Sequence, residues 1–342
     1  QIMLSTLWHR YNPSFKEVDS AIYKYMRTFP AKPDDEYYFK AKQLALKDFA
    51  IPKRCVRHVN DVIRHYPHPD RSPGLPYTKQ GFRRKDELDT NMLRWKVHQF
   101  KYGIRKMRTP CNAAVKTVVA PRTKNKFRLV WVYPADITMA EGMFAQPLIR
   151  AYLGEHHRPY ALWYRWHKGD MHHINTQLKG NTVWMGIDYS AFDVNVPSWL
   201  IRDAFWILRQ QLDFSRYELY GVPTDVNTLP RLWNQIVEYF INTPIKCRDG
   251  RVVVKHNGVP SGSYFTNLID SVCNAIMVHY MLLKLNVRYH EHYFMGDDGL
   301  IRVNKGVNLD EVASLAAHVF GAKINPEKSE IGQYVHWLGY KL

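Results

Sequence analysis

The chain has 342 residues, with 48 Lys and Arg against 31 Asp and Glu, for a formal net charge of +17. That excess favours a polyanionic partner through counterion release, and the length implies more than one compact lobe. No apolar run approaches the roughly 20 residues of a membrane-spanning helix, no secretory signal pattern is visible, and Cys55, Cys111, Cys247 and Cys273 are too scattered for a zinc knuckle or a disulfide framework.

In chain order, residues 1–69 include Trp8, Tyr11 and a helical stretch from Tyr37 to Phe49, but carry no chemical motif. Arg71-Ser72-Pro73-Gly74-Leu75-Pro76-Tyr77 is a proline-stiffened loop, and Arg83-Arg84-Lys85-Asp86 follows it. A rigid turn with basic residues behind it suits a groove that tracks a phosphate backbone. Lys126-Phe127-Arg128-Leu129-Val130 reads as a basic strand, with Lys116, Arg122 and Lys124 extending its patch. The Arg128 guanidinium suits multi-donor contact with phosphate oxygens, and Lys126 supplies a compact charge. Tyr160 to His173 interleaves aromatic and basic residues. Such a mixture serves either single-strand stacking or a buried aromatic cluster with snorkelling cations. The pairs His156-His157 and His172-His173 have no third ligand at a sensible spacing, so solvated or core histidines are expected there.

Thr182 to Ile187 is an apolar run that ends in Asp188, and Asp193 follows five residues later. A carboxylate at the end of a buried strand is costly unless paired. A helix is expected from Pro197 to Leu212, with Asn195 or Ser198 placed to cap it. Gly258-Val259-Pro260-Ser261-Gly262-Ser263 is a small-residue loop before a helix whose apolar residues, at 265, 268, 269, 272, 276, 280 and 283, fall at amphipathic spacing. Ser261 or Ser263 is the expected N-cap. The loop's backbone N–H groups could meet a phosphate or ribose, and Thr266, Asn267 and Asp270 lie early in the helix.

His290–Met295 and Leu300–Val303 suit the strands of a hairpin. Gly296-Asp297-Asp298-Gly299 forms its turn, where both carboxylates can reach one side. Two such acids side by side repel, and one stays protonated unless a cation neutralises them. Together with Asp188 and Asp193, two strand ends would bring acids to one point, the arrangement that a pair of Mg²⁺ ions requires. Asn308-x-x-Glu311 resembles a capping box for a helix to about Phe320. Lys323 and Lys328 follow in a Gly-Ala-Lys-Ile-Asn-Pro-Glu-Lys-Ser segment, and Trp337-Leu338-Gly339-Tyr340 is an aromatic glycine turn.

Three of these segments, in order, resemble the palm motifs of viral RNA-dependent RNA polymerases: D-x(4)-D at Asp188 and Asp193, S-G-x(3)-T at Ser261, Gly262 and Thr266, and G-D-D at Gly296, Asp297 and Asp298. The wording from Gly258 to Ser271 is most similar to the partitivirus branch, whose genomes are double-stranded RNA. The resemblance covers roughly residues 70–342. It implies an α+β right-hand polymerase, with fingers and a palm whose antiparallel sheet packs on helices, and with the thumb largely absent. The implied layout is an N-terminal extension or fingers over 1–69, fingers over 70–180, palm over 181–213, a fingers insertion over 214–256, and palm over 257–342, ending near the thumb border.

The resemblance also implies chemistry. Asp188, Asp297 and Asp298 would bind two Mg²⁺ ions, with Mn²⁺ as a substitute. Lys328, with Lys323 as rival, would protonate the leaving pyrophosphate. Lys116, Lys126, Arg128, Ser261 and Gly262 would contact the nucleotide. Asp193 with Thr266, Asn267 or Asp270 would sense the ribose 2′-hydroxyl, Asp270 standing where many positive-strand relatives place Asn. Ser72 and Gly74 would lie at template entry, and Trp337 and Gly339 at the primer grip. The implied partners are template and nascent RNA, nucleoside triphosphates and a viral capsid protein, with no membrane, and the implied location is the host cytoplasm, inside the virion. Two rival readings are a reverse transcriptase, against which Asp193 and Met295-Gly296 argue, and a non-catalytic basic RNA-binding or capsid-associated protein, which leaves three acid-bearing motifs unexplained.

Overall fold

The structure is a computed structural model that describes residues 7–177, 183–219, 221–304, 306–325 and 327–341. Thr182, the expected start of the acid-ended strand, lies outside the described residues. The chain divides into two compact units, one made of Gln1–Arg27, His58–Met143 and Pro223–Tyr264, the other of Thr28–Arg57, Phe144–Val222 and Phe265–Leu342.

The second unit is built on a four-stranded antiparallel sheet. Its strand order is Tyr289–Met295, Asp298–Val303, Val183–Ile187, Glu330–Gly332. The central strand Val183–Ile187 is apolar on both faces because both faces are covered, and Trp184 to Ile187 are all buried. Trp184, Trp163, Tyr293, Leu300, Val335 and Trp337 form one cluster of buried side chains beside it. Trp184 is 0% exposed, so truncation to Ala would cost about 3–5 kcal/mol.

The helix Thr266–Lys284 packs against this sheet and against the helix Glu36–Asp48. The amphipathic reading of Thr266–Lys284 needs correction, since every residue from Leu268 to Leu282 is buried. Serine capping does not occur either: the residue at the N-cap is Phe265, and no side chain caps this helix. The helix expected from Pro197 spans Ser198–Arg209, with Pro197 at an N-cap that has no side-chain hydrogen bond. It stops short of Leu212, which instead opens the strand Leu212–Tyr217, paired in parallel with Arg54–Val56. Asn195 directs its amide to the Ser190 carbonyl, 3.0 Å away. Asn308 does cap the helix Leu309–Phe320, through the N–H of Asp310.

The first unit holds a mixed sheet in the order Phe127–Val132, Cys111–Thr117, Pro244–Lys246, Val252–Val254, with a parallel pairing only between the middle two strands. The helix Thr90–Lys101 packs on Thr228–Ile241, and the Gln235 amide ties them by donating to the Phe100 carbonyl at 2.8 Å. Lys255 is fully buried and donates to the carbonyls of Phe240, Ile241 and Gly258 at 2.6–2.9 Å. Those bonds satisfy carbonyls at the end of Thr228–Ile241 and pin the chain just before the Ser261-Gly262 loop. No helix among the described residues is long and apolar enough to cross a membrane.

Candidate active site

The acids meet because of strand register. Ile187 pairs with Gly299, and Met295 with Asp298 across the hairpin. The ladder between Val183–Ile187 and Asp298–Val303 ends at the Ile187–Gly299 pair, with Asp188 and Asp298 the next residue on each chain segment. Asp297 stands exposed at the hairpin tip, and Asp188 and Asp298 are half-buried. Burial pushes the Asp298 carboxyl up to about 7, helped by the charges of Asp297 and Asp188. Asp298 thus lies near enough to Asp297 and Asp188 to feel their charge, and three carboxyl groups form an oxygen-only donor set whose chemistry fits a hard divalent cation.

The surrounding backbone is fixed by side chains. Gly296 has φ +62°, which its neighbours in the turn require. Its N–H donates to the Ser271 hydroxyl at 2.8 Å, and its carbonyl accepts from the Asn274 amide at 3.2 Å. Ser271 passes its own hydrogen to the Asn267 carbonyl at 2.7 Å, and the Tyr160 hydroxyl donates to the Asn267 side-chain oxygen at 2.7 Å. Asp188 is braced from the other side. Its N–H reaches the Ser329 hydroxyl at 3.1 Å, and its carbonyl accepts the Asn325 N–H at 2.8 Å.

Asp193 lies in the short 3-10 turn Phe192–Asn195. Asp270 is fully buried and hydrogen-bonded to Asp193. Burial, then the charges of Asp193 and Asp297, drive its carboxyl well above the usual range, which favours its protonated form. Its Oδ1 is buried with no hydrogen-bond partner. A protonated acid can donate a hydrogen bond as an asparagine amide does, which answers the unusual residue type at this position. Asp188, Asp193, Asp270, Asp297, Asp298 and Asn267 therefore belong to one neighbourhood of the second unit, with Thr266 at the first turn of the same helix.

Other expected residues fall in different settings. Trp337 is 2% exposed and packs within the aromatic core, and Leu338 and Gly339, both at positive φ, turn the two-residue hairpin after it. That hairpin sits close to the sheet: a Cβ on Gly186 would lie 2.9 Å from the His336 carbonyl. Lys328 and Lys323 are both exposed, Lys328 in the turn before Glu330–Gly332. Of the aromatic stretch, Tyr160 and Trp163 are buried, which favours the core reading for these two.

In the first unit, Lys116 pairs directly with Arg128 across Cys111–Thr117 and Phe127–Val132, and both are exposed, as is Lys126. Like charges directly opposite destabilise a strand pair, so this ribbon is suited to an anion. Ser261 gives its carbonyl to the Trp131 N–H at 2.7 Å, and a Cβ at Gly262 would collide with the Trp131 carbonyl. Ser263 and the Tyr264 N–H both donate to Glu141, at 2.7 and 2.9 Å. Glu141 is fully buried, and burial pushes its carboxyl up to about 8. Gly74 has φ +68°, and a Cβ there would lie 2.6 Å from the Tyr133 carbonyl. The Ser72 carbonyl is held by the Lys85 ammonium at 2.7 Å, so part of the basic run behind the loop is structural.

A sequence model described as viral RNA-dependent RNA polymerase matches residues 5–339. The chain belongs to that family. It is 28% identical over 315 residues to the RNA-directed RNA polymerase of Cryptosporidium parvum virus 1, covering 84% of this chain and 54% of the relative. It is 25% identical over 280 residues to that of White clover cryptic virus 1, covering 74% and 44%. These relatives agree with the expected partitivirus-like branch. Among solved structures, the RNA-dependent RNA polymerase of a human picobirnavirus superposes with a TM-score of 0.69 at 17% identity, covering 94% of this chain and 60% of the other, which shows the right-hand polymerase fold. The chain spans about half the length of the curated relatives it matches.

Sequence reasoning passed over Ser271, Asn274, Ser329, Tyr160 and Glu141. For two of them a signal was present: with Asn267, Ser271 and Asn274 fall at i, i+4 and i+7 of a largely apolar helix, a polar stripe along one face. Tyr160, Ser329 and Glu141 act across long chain separations and carry no local pattern.

Proposed function

We propose that the whole protein performs RNA-templated RNA synthesis by two-metal nucleotidyl transfer, copying a viral RNA genome. The observation that carries this reading is the convergence of Asp188, Asp297 and Asp298 on adjoining strand ends of a polymerase palm. These residues would hold two Mg²⁺ ions, or Mn²⁺ in their place, which supply Lewis-acid activation of the 3′-hydroxyl and charge neutralisation at the triphosphate. Lys116, Lys126 and Arg128 bind phosphate oxygens, and the Ser261-Gly262 loop and Thr266 position the nucleotide. Asp193 and the protonated Asp270 test for the ribose 2′-hydroxyl, one accepting and the other donating, while Asn267 keeps the hairpin turn and Tyr160 in register. Lys328 gives a proton to the departing pyrophosphate. Ser72 and Gly74 guide the template, and the Trp337–Gly339 hairpin supports the primer end. We place the activity in the host cytoplasm within the virion, with RNA, nucleoside triphosphates and a capsid protein as partners. Co-sedimentation of the enzyme with RNA-filled particles tests that location.

The deciding experiment uses the full-length protein. Asp297→Ala is expected to lower Mg²⁺-dependent nucleotide incorporation by on the order of a thousandfold or more, with RNA binding nearly unchanged. Retained incorporation by that variant would overturn the assignment. Preference for deoxyribonucleotides in the same assay would point to a reverse transcriptase instead.

A further inference from the structure

Among the described residues, Asp48, His279 and His292 bring three ligand-type side-chain atoms within 4.8 Å of one another. Asp48 ends the helix Glu36–Asp48, His279 lies in the buried helix Thr266–Lys284, and His292 is on the hairpin strand Tyr289–Met295. The group is well enclosed: the side chains of His279, Asp48 and His292 are 1%, 9% and 17% exposed. His279 Nε2 lies 2.6 Å from Asp48 Oδ2, and His292 Nε2 lies 3.0 Å from both carboxylate oxygens. Each ring is also fixed at its other nitrogen, His279 Nδ1 by the Tyr289 hydroxyl at 2.7 Å and His292 Nδ1 by the His290 carbonyl at 2.8 Å.

The His292 contacts contain a conflict. A carbonyl only accepts, so His292 Nδ1 carries the hydrogen. A neutral ring then turns its Nε2 lone pair at the Asp48 carboxylate, acceptor against acceptor. A positive charge between them resolves this. A proton on His292 Nε2 is one form of it; a metal ion is another, and would draw on both imidazoles and the carboxylate together. Outer hydrogen bonds that fix the far nitrogen of each imidazole are what metal-ligating histidines regularly have. Two nitrogens and one carboxylate oxygen form a zinc-type donor set with a fourth position left for water, unlike the oxygen-only set at Asp188, Asp297 and Asp298.

We infer that Asp48, His279 and His292 form a binding site for a zinc-class divalent cation, separate from the catalytic acids, that fastens the end of the Glu36–Asp48 helix to the base of the hairpin. His292 precedes Asp297 by five residues, about 16 Å of extended strand, so the ion would anchor the hairpin far from its reactive tip.

The test uses the full-length protein, stripped with chelator and titrated with Co²⁺ and with Zn²⁺ in excess Mg²⁺. The expected result is one Co²⁺ per chain with the visible absorption of a four-coordinate nitrogen-ligated site, displaced by Zn²⁺, and a rise in the thermal midpoint with Zn²⁺. Asp48→Asn and His292→Asn should each abolish the absorption, whereas Asp297→Ala should retain it. If either ligand variant fails to fold, the wild-type spectrum decides alone. A wild-type protein that gives no such absorption and gains no thermal stability from Zn²⁺ overturns the site, and leaves a proton-bridged His292–Asp48 pair in its place.

Discussion

Burial raises the carboxyl groups of Asp270 and Glu141 above the ordinary carboxylate range. At Asp270, burial and the charge of the hydrogen-bonded Asp193 favour the protonated form. Asp270→Asn is therefore expected to fold normally and to keep the discrimination between ribo- and deoxyribonucleotides, because an amide donates from the same place. Asp270→Leu should lose that discrimination, as measured by the ratio of UTP to dTTP incorporation. At Glu141 the sign of the pH effect follows from a carboxyl raised to about 8 from an ordinary value near 4.5. The folded chain holds a proton that the unfolded chain releases, so stability is fully present below about pH 4.5 and is lost as pH rises toward 8. The loss is on the order of a few kcal/mol. Glu141→Gln should flatten this dependence in denaturant titrations between pH 5 and 8, because a neutral amide has no proton to lose.

Among the elements, the Thr266–Lys284 helix does most to shape the site. Ser271 supplies the acceptor for the Gly296 N–H inside the protein. Ser271→Ala would leave a buried donor unsatisfied, at a cost of about 1–3 kcal/mol. Incorporation should fall more than RNA binding does, since the variant misplaces the turn without removing charge. The existence of this helix was legible in its apolar content, and so was the hairpin, in its branched and aromatic strands with a glycine-bracketed turn. The start of the helix was less legible. Ser261 and Ser263 have good capping chemistry, but Ser263 is drawn to Glu141, more than a hundred residues away, and local propensity cannot register such a competitor. The same limit hid the His279–Asp48–His292 group. Its members are separated by up to 244 residues, whereas sequence spacing displays only neighbours such as His156-His157 and His172-His173, which have no third ligand nearby in the chain.

For the whole molecule, charge supplies affinity and the strands supply placement. Binding to single-stranded RNA should weaken linearly with the logarithm of salt concentration. Lys126→Ala and Arg128→Ala should each lower that slope by about 1 if each meets one phosphate, with equal effect on all RNA sequences; an unchanged slope would remove that lysine or arginine from the phosphate contacts. Divalent cations should raise the thermal midpoint of the full-length enzyme by binding only the folded acids, and Asp188→Ala should reduce that rise. The acids at Asp188, Asp193, Asp297 and Asp298 were readable because carboxylates that end apolar runs are costly without a partner. The alternation of the two compact units along the chain was not, because the boundaries at 27, 57, 143, 222 and 264 carry no composition change.

The pairing of Lys116 with Arg128 has one further consequence. Two cations held face to face across a narrow ribbon push its strands apart until something negative comes between them. The ribbon is thus at its weakest when empty, and each arriving phosphate tightens the very surface that receives it.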